Sequence, residues 1–532
     1  MWTEVLQGRL KAQFEAILAR ELPARRWFGG KSRAIQNLQI AEVVPVERAP
    51  SSRRGKGVSA PSMGNGSGMS AAAESSTRKA DSSDTDNVVF LFVRVEYREG
   101  EPEGYLVPVA AAWGDAADRV LADRSKSVLA KLQKKSHREM GVVFDALEDP
   151  AAGALLLELI ANRRRCKANR GELIGSPTPA LAELTGGDST SLPAAAARTE
   201  QSNSSIVYDD KLILKIFRRL QVGVNPELEI SRVLGIDGAF SNTPRLAGSL
   251  EFVVRRQEPV TIGVLQSYAP HTITAWRFTL DFLKRYLEEV LAKPAELRPN
   301  AAATPRTSLW DLARGDASPL AKDLLGGFLE SAALLGKRTG EMHVALATAA
   351  DSQFTPEPFS VLYQRSLYQS SRKLLADTFN ALKQKLEALA PPAIEIAGEL
   401  ISREKLVLER FRSILKPKIV AKRFRCHGDY HLGQVLFTGK DFLIIDFEGE
   451  PSRSLAARRI KRSGLLDVAG MIRSFHYAAD QSVPSLVKMG VATPDAQTAL
   501  REAADFWYVW TSSAFLRAYA AAVTPADLLP TT

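Results

Sequence analysis

Two acidic residues in the last quarter of the chain are spaced so that they could act together. Asp429 lies in the segment HGDYHLGQ at 427–434, and Asp446 directly follows the apolar run at 442–445. A carboxylate directly after a buried strand is costly unless it is paired or binds a metal ion. Transfer of a γ-phosphoryl group needs a carboxylate that accepts the proton of the attacking hydroxyl, and oxygen ligands for Mg²⁺. The pattern therefore indicates phosphoryl transfer, with Asp429 as the catalytic base and Asp446 as a metal ligand.

Gln434 completes this constellation. It follows Asp429 by five positions, the spacing at which kinase catalytic loops carry an Asn whose oxygen binds metal. A turn at 438–441 predicts a β-hairpin over 435–446, which returns Asp446 toward Asp429. We therefore expect ATP and Mg²⁺ as cofactors, with Gln434 and Asp446 as the metal ligands.

A second interpretation starts from the histidines that flank Asp429. His427 and His431 are four positions apart, as in some metal centres. Such a centre needs a third ligand at suitable spacing and an open position, and the sequence offers no Cys or His pattern of that kind. The phosphotransfer interpretation accounts for more residues.

Lys215 is the candidate partner for the nucleotide phosphates, because it lies mid-strand in the second half of a predicted hairpin over 206–217. The alternative is an exposed lysine that protects a sheet edge. Asn225 and Pro226 open a helix, and either Glu227 or Glu229 could pair with Lys215 as the corresponding helix Glu does in protein kinases. The two acids lie about 200° apart on a helix, so only one can face the lysine.

The segment before the hairpin lies where kinases carry a glycine-rich phosphate loop, but it lacks the glycine pattern. Its small polar side chains could contact phosphate oxygens, although a plain turn explains them almost as well. Arg218 and Arg219 are expected at the surface. The nucleotide-binding candidates are thus Gln201, Ser202, Asn203, Ser204, Lys215, Glu227, Glu229 and Gln266.

The elements that must position these residues divide the chain. Periodicity predicts an amphipathic helix over 2–20, strands over 88–95, 105–109, 252–254 and 261–266, and long helices over 324–347, 360–389 and 402–415. Residues 49–87, poor in large apolar side chains, predict a disordered insertion, and 175–197 predicts a loose boundary or surface loop. We expect an α+β protein with three parts: an N-terminal cap at 1–135, a strand-rich part at 136–268 and a helical part at 269–532.

Composition excludes several classes of protein. The 532 residues are 45% apolar and 24% charged, and 70 basic side chains face 60 acidic ones. No basic block alternates with aromatic residues, so nucleic acid is not an expected partner. Two distant cysteines, no export signal and no long apolar run predict a cytoplasmic protein that is not bound to a membrane.

With these motifs in place, the sequence resembles the maltokinases, which belong to the aminoglycoside-phosphotransferase-like branch of the kinase fold. The segments that carry the resemblance are RWFGGKSR at 26–33, EQSN at 200–203, LILK at 212–215, NPELEI at 225–230, HGDYHLGQ at 427–434, DFEGEP at 446–451 and DVAGMIRSF at 467–475. The resemblance implies a bilobal kinase fold, with a strand-rich N-lobe and a helical C-lobe, behind an N-terminal α/β cap. It also implies ATP-dependent phosphorylation of maltose to maltose 1-phosphate in trehalose and α-glucan metabolism, and association with a trehalose synthase.

The sequence departs from the family at GLL (464–466), at TAW (274–276) and in the 49–87 insertion. The first two departures leave the acceptor open, so the alternatives are a kinase of glucosamine or another hexose and a non-catalytic partner of a trehalose synthase. A sugar site combines aromatic faces with polar groups, and Asp467 is expected to anchor the catalytic loop. The sugar-binding candidates are His431, Glu448, Arg473, Tyr477, Trp507 and Tyr508, with Trp510 and Tyr519 as further aromatic candidates.

Overall fold

A computed structural model describes residues 2–47, 88–134, 139–189, 191–197, 202–235 and 238–531. The chain forms two compact units. The first comprises Met1–Leu228 and Arg245–Pro270, and the second comprises Glu229–Pro244 and His271–Thr532. The predicted insertion at 49–87 and the predicted phosphate contact Gln201 lie outside the described residues.

The described residues of the first unit form two antiparallel sheets. Its strands are β1 Ile35–Val46, β2 Val88–Tyr97, β3 Glu103–Trp113, β4 Val128–Gln133, β5 Met140–Asp145, β6 Arg165–Lys167, β7 Gly171–Pro177, β8 Ala194–Ala196, β9 Ser204–Tyr208, β10 Leu212–Ile216, β11 Arg219–Leu220, β12 Leu246–Val254 and β13 Val260–Ser267. One sheet has the order β1-β2-β3-β5-β4, with β11 beside β3, and the other has the order β6-β7-β12-β13-β10-β9-β8. The predicted strands and the hairpin over 206–217 are confirmed.

Strand β2 explains why its sequence is almost continuously apolar. Val89 and Leu91 face a core that contains Phe14 of the first helix, whereas Phe90 and Phe92 face the core of the second sheet. A strand that is covered on both faces needs apolar side chains at successive positions rather than at alternate ones.

Among the described residues of the first unit, five helices begin: α1 Gly8–Glu21, α2 Gly114–Asp123, α3 Pro150–Ala161, α4 Pro179–Thr185 and α5 Pro226–Gly235. The division between the units falls inside α5, after Leu228. The predicted N-terminal helix is present as a 3-10 turn, Trp2–Leu6, followed by α1. The prediction of a loose segment over 175–197 is wrong, because the end of β7, all of α4 and β8 lie there and β8 pairs with β9. Gly186 ends α4 in the left-handed conformation, with φ +66°.

The second unit is mainly helical. Its helices are α6 Ala275–Ala292, α7 Leu309–Leu312, α8 Pro319–Ala347, α9 Val361–Lys385, α10 Pro391–Ser402, α11 Glu404–Arg412, α12 Leu455–Arg458, α13 Leu465–Lys488 and α14 Gln497–Val523. Its strands are β14 Ile273–Thr274, β15 Glu357–Pro358, β16 Lys422–Arg423, β17 Val435–Phe437 and β18 Phe442–Ile444. The predicted long helices correspond to α8, α9 and α11, and the hairpin predicted over 435–446 is β17 and β18.

Close packing of α8 on α14 forms the centre of this unit. Gly336 of α8 lies against the backbone oxygen of Phe515, where a Cβ atom would clash with the carbonyl group. The absence of a side chain therefore lets the two helices approach closely. Buried residues of α6, α8, α13 and α14 share one apolar core.

The structure confirms a mixed α and β protein with antiparallel sheets in its first unit and mainly helices in its second. The bilobal kinase fold and the predicted domain boundaries stay predictions. In the part of the chain that the structure describes, every helix is too short or too polar to cross a bilayer.

Candidate active site

The loop that carries Asp429 is held by a buried carboxylate. Asp467, in the first turn of α13, accepts hydrogen bonds from the backbone N–H groups of His427 (2.8 Å) and Gly428 (2.9 Å). Gly428 has φ +84°, a conformation that favours glycine. These contacts fix the backbone immediately before Asp429 and agree with the anchoring role expected of Asp467.

The imidazole of His427 joins this loop to the strand that precedes Asp446. Its Nε2 lies 2.9 Å from the backbone oxygen of Ile445, and its Nδ1 accepts a hydrogen bond of 3.4 Å from the backbone N–H of Asp429. Both ring nitrogens are therefore used within the protein. His431 likewise uses Nδ1, as acceptor for the N–H of Gly433 at 3.0 Å.

Gln434 and Asp446 are in direct contact. The backbone N–H of Ile445 donates to the backbone oxygen of Gln434 at 3.0 Å, which brings the end of β18 beside the loop. The Gln434 side-chain N–H then donates to Oδ2 of Asp446 at 2.7 Å. Asp446 has φ +66°, which Asp tolerates better than most side chains. The hairpin thus brings together the two predicted metal ligands.

Asp429 is partly buried and lies near charged groups of both signs. Burial raises the pKa of its carboxyl group, and the nearby charges of Glu450 and Asp446 add to this effect, while His431 and His427 oppose it. Like charges that crowd together favour either a proton or a cation. The arrangement is therefore suited to a group that accepts a proton beside a bound divalent ion.

The donor set can be tested against Mg²⁺. Gln434 uses its side-chain nitrogen for the contact with Asp446, so its amide oxygen can serve as a metal ligand. Asp446 supplies carboxylate oxygens, and Mg²⁺ prefers such oxygen ligands. Among the residues that the structure describes, no group of three His, Cys, Asp or Glu side chains is arranged to hold a metal ion. In kinases, Mg²⁺ binds one or two protein ligands together with phosphate oxygens and water. The pair of Gln434 and Asp446 therefore fits a magnesium site better than it fits a metal centre built from histidines.

Glu448, a predicted sugar contact, is held beside an arginine. Its carboxylate lies 3.6 Å from Nη1 of Arg458, which also donates to the backbone oxygen of Glu448 at 3.1 Å. Only 14% of its side chain is exposed.

In the first unit, Lys215 shares one sheet face with Gln266. Ile213 pairs with Gln266 and Lys215 pairs with Val264 across the β10–β13 ladder, so Lys215 and Gln266 are diagonal neighbours on the same face. Gln266 donates to the buried carboxylate of Glu227 at 3.0 Å. Three of the predicted nucleotide-binding residues are thus gathered on one side of this sheet.

Glu229 lies in the second unit and has other partners. Its carboxylate forms ion pairs with Arg425 at 2.8 Å and with Arg459 at 2.6 Å. Asn225 caps α5, since its Oδ1 accepts the N–H of Glu227 at 2.9 Å. Of the two acids that the sequence left open, Glu227 is the one on the Lys215 face of the sheet.

Arg218 corrects an expectation. It was expected at the surface, but it is buried, forms an ion pair of 2.7 Å with Asp145 and lies 4.7 Å from the ring centre of Trp27. Its Nε donates to the hydroxyl of Ser204 at 2.8 Å, and Ser204 belongs to β9 rather than to the loop before it. Ser202 and Asn203 precede that strand.

The predicted aromatic sugar contacts divide into two groups. Trp507 is fully buried and packs against Phe328 and Phe475, so it is a core residue, as are Trp510 and Tyr519. Tyr508 is half-buried and Tyr477 is exposed. Burial of Trp507 follows from helical spacing, which places it on the inner face of α14.

Arg473 and Tyr477 lie near the catalytic loop. Arg473 donates to the Tyr477 hydroxyl at 2.8 Å, and its guanidinium carbon lies 4.7 Å from the ring centre. Ser474, in the same turn of α13, accepts the backbone N–H of Leu432 at 3.2 Å. This contact brings the turn that carries Arg473 beside the HGDYHLGQ segment.

Several polar residues near Tyr508 were not among the predicted candidates. His476 packs edge to face on Tyr508 with 5.2 Å between ring centres. Burial raises the pKa of Asp505, which His476 lowers and Asp480 raises further. His476 and Asp480 are four positions apart on α13, and Asp505 and Tyr508 are three apart on α14, so each pair shares one helix face. The sequence does not show that these two helices pack together.

The chain has sequence relatives among sugar kinases. It is 24% identical over 322 residues to a glucosamine kinase of Streptacidiphilus jiangxiensis, an alignment that covers 60% of this chain and 60% of that protein. It is 21% identical over 280 residues to a glucosamine kinase of Mycolicibacterium smegmatis, with coverage of 53% and 58%. The chain thus spans about three fifths of the length of these curated relatives. No family model matches it.

Solved structures give the same neighbours. A glucosamine kinase in complex with glucosamine, ADP and inorganic phosphate has a TM-score of 0.50 at 17% identity and is matched over 82% of this chain and 81% of that one. A crystal form of glucosamine kinase has a TM-score of 0.51, with 83% and 79% covered. At this level of identity the likeness concerns the fold, and the folds that this chain resembles are kinase folds.

Proposed function

We propose that this protein is an ATP-dependent sugar kinase, with glucosamine as the first candidate acceptor. The observation that carries the proposal is the contact between Gln434 and Asp446 beside the partly buried Asp429. A base and two oxygen ligands for Mg²⁺ are the groups that phosphoryl transfer requires from the protein.

In this proposal Asp429 orients a sugar hydroxyl and accepts its proton. The hydroxyl oxygen forms a bond to the γ-phosphorus, the bond from that phosphorus to the bridging oxygen breaks, and ADP leaves. The raised pKa of Asp429 suits this role, because a carboxylate that binds its proton more tightly is the better base. Gln434 and Asp446 would hold Mg²⁺, which neutralises phosphate charge when bound.

The first unit would bind the nucleotide phosphates through Lys215. Its position on the sheet face that also carries Gln266, with Glu227 bonded to Gln266, supports this assignment. Ser202 and Asn203 remain proposed phosphate contacts in the segment before β9.

The names of the relatives favour glucosamine over maltose. An acceptor with an ammonium group also suits two nearby carboxylates. Asp480 lies one to two turns beyond Tyr477 and Arg473 on α13, and Asp505, one turn before Tyr508 on α14, feels the charge of Asp480. His431 and Glu448 are further proposed contacts of the sugar. Maltose, implied by the resemblance to maltokinases, is the second candidate.

A non-catalytic role beside a trehalose synthase is the remaining candidate, and the joint presence of Lys215, Asp429, Gln434 and Asp446 weighs against it. ADP release by the purified protein, measured with glucosamine, glucose and maltose in turn, tests the proposal. Sugar-dependent release that is lost in Asp429→Asn supports a kinase, and no release with any sugar contradicts it.

A further inference from the structure

We propose that His343, a residue of α8 in none of the motifs above, is a positioning residue that holds the catalytic loop through Asp467. This inference rests on the proposed kinase function for its effect on rate, but the contact itself can be tested without any enzyme assay.

Both ring nitrogens of His343 have hydrogen-bond partners. The side chain is fully buried, its Nε2 lies 2.9 Å from Oδ2 of Asp467, and its Nδ1 lies 3.1 Å from the hydroxyl of Tyr519 on α14. Phe424 packs edge to face on the imidazole with 5.4 Å between ring centres. Two hydrogen bonds and an aromatic wall therefore fix the ring.

The imidazole of His343 is tightly surrounded. At Gly464, immediately before α13, an added Cβ would lie 2.9 Å from Nδ1 of His343 and 3.0 Å from the Tyr519 hydroxyl. The imidazole therefore fills the space beside Gly464 and the Tyr519 hydroxyl, and its Nε2 supplies the contact from α8 to Asp467.

Proton positions follow from the partners. Burial alone would raise the pKa of Asp467, but the hydrogen bond and charge of His343, with His427 and the Gly428 N–H, hold it below its usual range, so the carboxylate is an acceptor. Burial raises the pKa of Tyr519, so its hydroxyl keeps its proton. His343 therefore donates from Nε2 to Asp467, and its Nδ1 shares a hydrogen bond with the Tyr519 hydroxyl.

The carboxylate of Asp467 transmits this arrangement to the loop. Oδ2 accepts from both His343 and the backbone N–H of His427, and Oδ1 accepts from Gly428. A buried carboxylate needs its donors, so loss of the imidazole leaves Asp467 with fewer contacts and a less defined orientation. Asp429 follows Gly428 directly, and a misplacement of about 1 Å can cost on the order of 100-fold in rate.

The alternative is a purely structural role, in which His343 only satisfies hydrogen bonds within the core. In that case its replacement would lower stability and leave the loop and the turnover of the folded enzyme unchanged. A positioning role predicts instead that kcat falls while KM for ATP does not, and that a side chain that can still donate to Asp467 rescues part of the loss.

The experiment compares His343→Leu, His343→Gln and Tyr519→Phe with Leu346→Ala, a matched control that perturbs the same buried helix one turn away. Amide hydrogen exchange of the peptide 424–432 is measured by mass spectrometry, and kcat and KM are measured on the folded fraction. We expect exchange at the loop to rise about tenfold in His343→Leu and to stay unchanged in the control. We expect kcat to fall about 100-fold in His343→Leu and about tenfold in His343→Gln, with KM for ATP unchanged.

Unchanged loop exchange in His343→Leu, or equal loop exchange in that variant and in Leu346→Ala, would overturn the proposal. If His343→Leu does not fold, wild-type exchange and kcat in both His343→Gln and Tyr519→Phe would overturn it as well. Should the wild-type protein phosphorylate no sugar, the proposed function fails, whereas the exchange measurement still decides the role of His343.

Discussion

The side-chain amide of Gln434 donates a hydrogen bond of 2.7 Å to Oδ2 of Asp446. The bond orients both side chains and leaves the Gln434 amide oxygen free of this contact. Mg²⁺ binds oxygen ligands in a strict octahedral geometry, so ligands held in place before binding are an advantage. The pair is therefore the most specific feature of the proposed metal site.

Gln434→Ala should weaken Mg²⁺ binding in the enzyme–nucleotide complex, because it removes one ligand and the group that orients the other. We expect kcat to fall on the order of 100-fold and the Mg²⁺ concentration for half-maximal rate to rise. A magnesium titration of the initial rate measures both. The exposed Gln481→Ala serves as control, and an unchanged magnesium dependence in Gln434→Ala would argue against the metal role.

Asp429→Asn should lower kcat by about 1,000-fold with little effect on KM for ATP, because it removes the proton acceptor but keeps the shape of the side chain. The base must be deprotonated to act, and burial raises the pKa of Asp429. As the pH is lowered, the wild-type kcat should therefore begin to fall at a pH above about 4, the ordinary pKa of Asp. A pH profile of kcat for both proteins measures this. The residual activity of the variant should lack that acidic decline; the same decline in both proteins would assign it to another group.

Much of the candidate site could be read from the chain because its residues are close in sequence. Asp429, Gln434 and Asp446 lie within one loop and hairpin, so spacing and β-propensity were enough to bring them together. Lys215 and Gln266 are on neighbouring strands whose register the alternation of side chains did not fix. Periodicity equally did not reveal that Glu227 and Glu229 belong to different compact units.

Contacts between distant elements account for what was missed. Arg218 looks like a surface residue after a strand, but Asp145, 73 positions away, neutralises it in the interior. His343 lies 124 positions from Asp467, and no local pattern distinguishes it from an ordinary core histidine. Trp507 lies at a helical spacing that suits a core residue and a sugar contact equally, so the sequence alone could not distinguish the two roles.

The hairpin that carries Asp446 is fastened to α8 by a pair of charges. Arg338 donates to both carboxylate oxygens of Asp441, at 2.9 and 2.6 Å. Burial would raise the pKa of Asp441, but the Arg338 hydrogen bonds and the Phe442 N–H hold it below its usual value. The pair should therefore stabilise the fold above the unfolded-state pKa of about 4 and lose this effect as pH falls through the lower folded-state pKa.

Asp441→Asn should accordingly lower the free energy of unfolding by about 1 kcal/mol at pH 7. The difference from wild type should shrink as the pH is lowered below about 4. Urea unfolding of both proteins at pH 7 and at a pH below about 4 measures this difference in the free energy of unfolding. The exposed Asp377→Asn of α9 is the control. A difference that is the same at both pH values would mean that the charge of Asp441 contributes nothing.

Arg473→Ala tests the acceptor side of the site. Because Arg473 holds the Tyr477 hydroxyl in the turn of α13 beside the catalytic loop, its loss should raise KM for the sugar about tenfold, a change of about 1.4 kcal/mol. KM for ATP should not change. Steady-state kinetics with each substrate varied separately give both constants, and Arg501→Ala on α14 is the control. A rise in KM for ATP alone would move Arg473 out of the proposed sugar site.

We propose that the protein transfers the γ-phosphoryl group of ATP to a sugar. The most direct measurement is ³¹P NMR of the purified protein with ATP, Mg²⁺ and glucosamine, with maltose and glucose in parallel samples. We predict a new phosphomonoester signal that grows as ATP is converted to ADP, first with glucosamine, and that is absent with Asp429→Asn. ATP that persists unchanged with every sugar, while the protein is folded and binds nucleotide, would contradict this function.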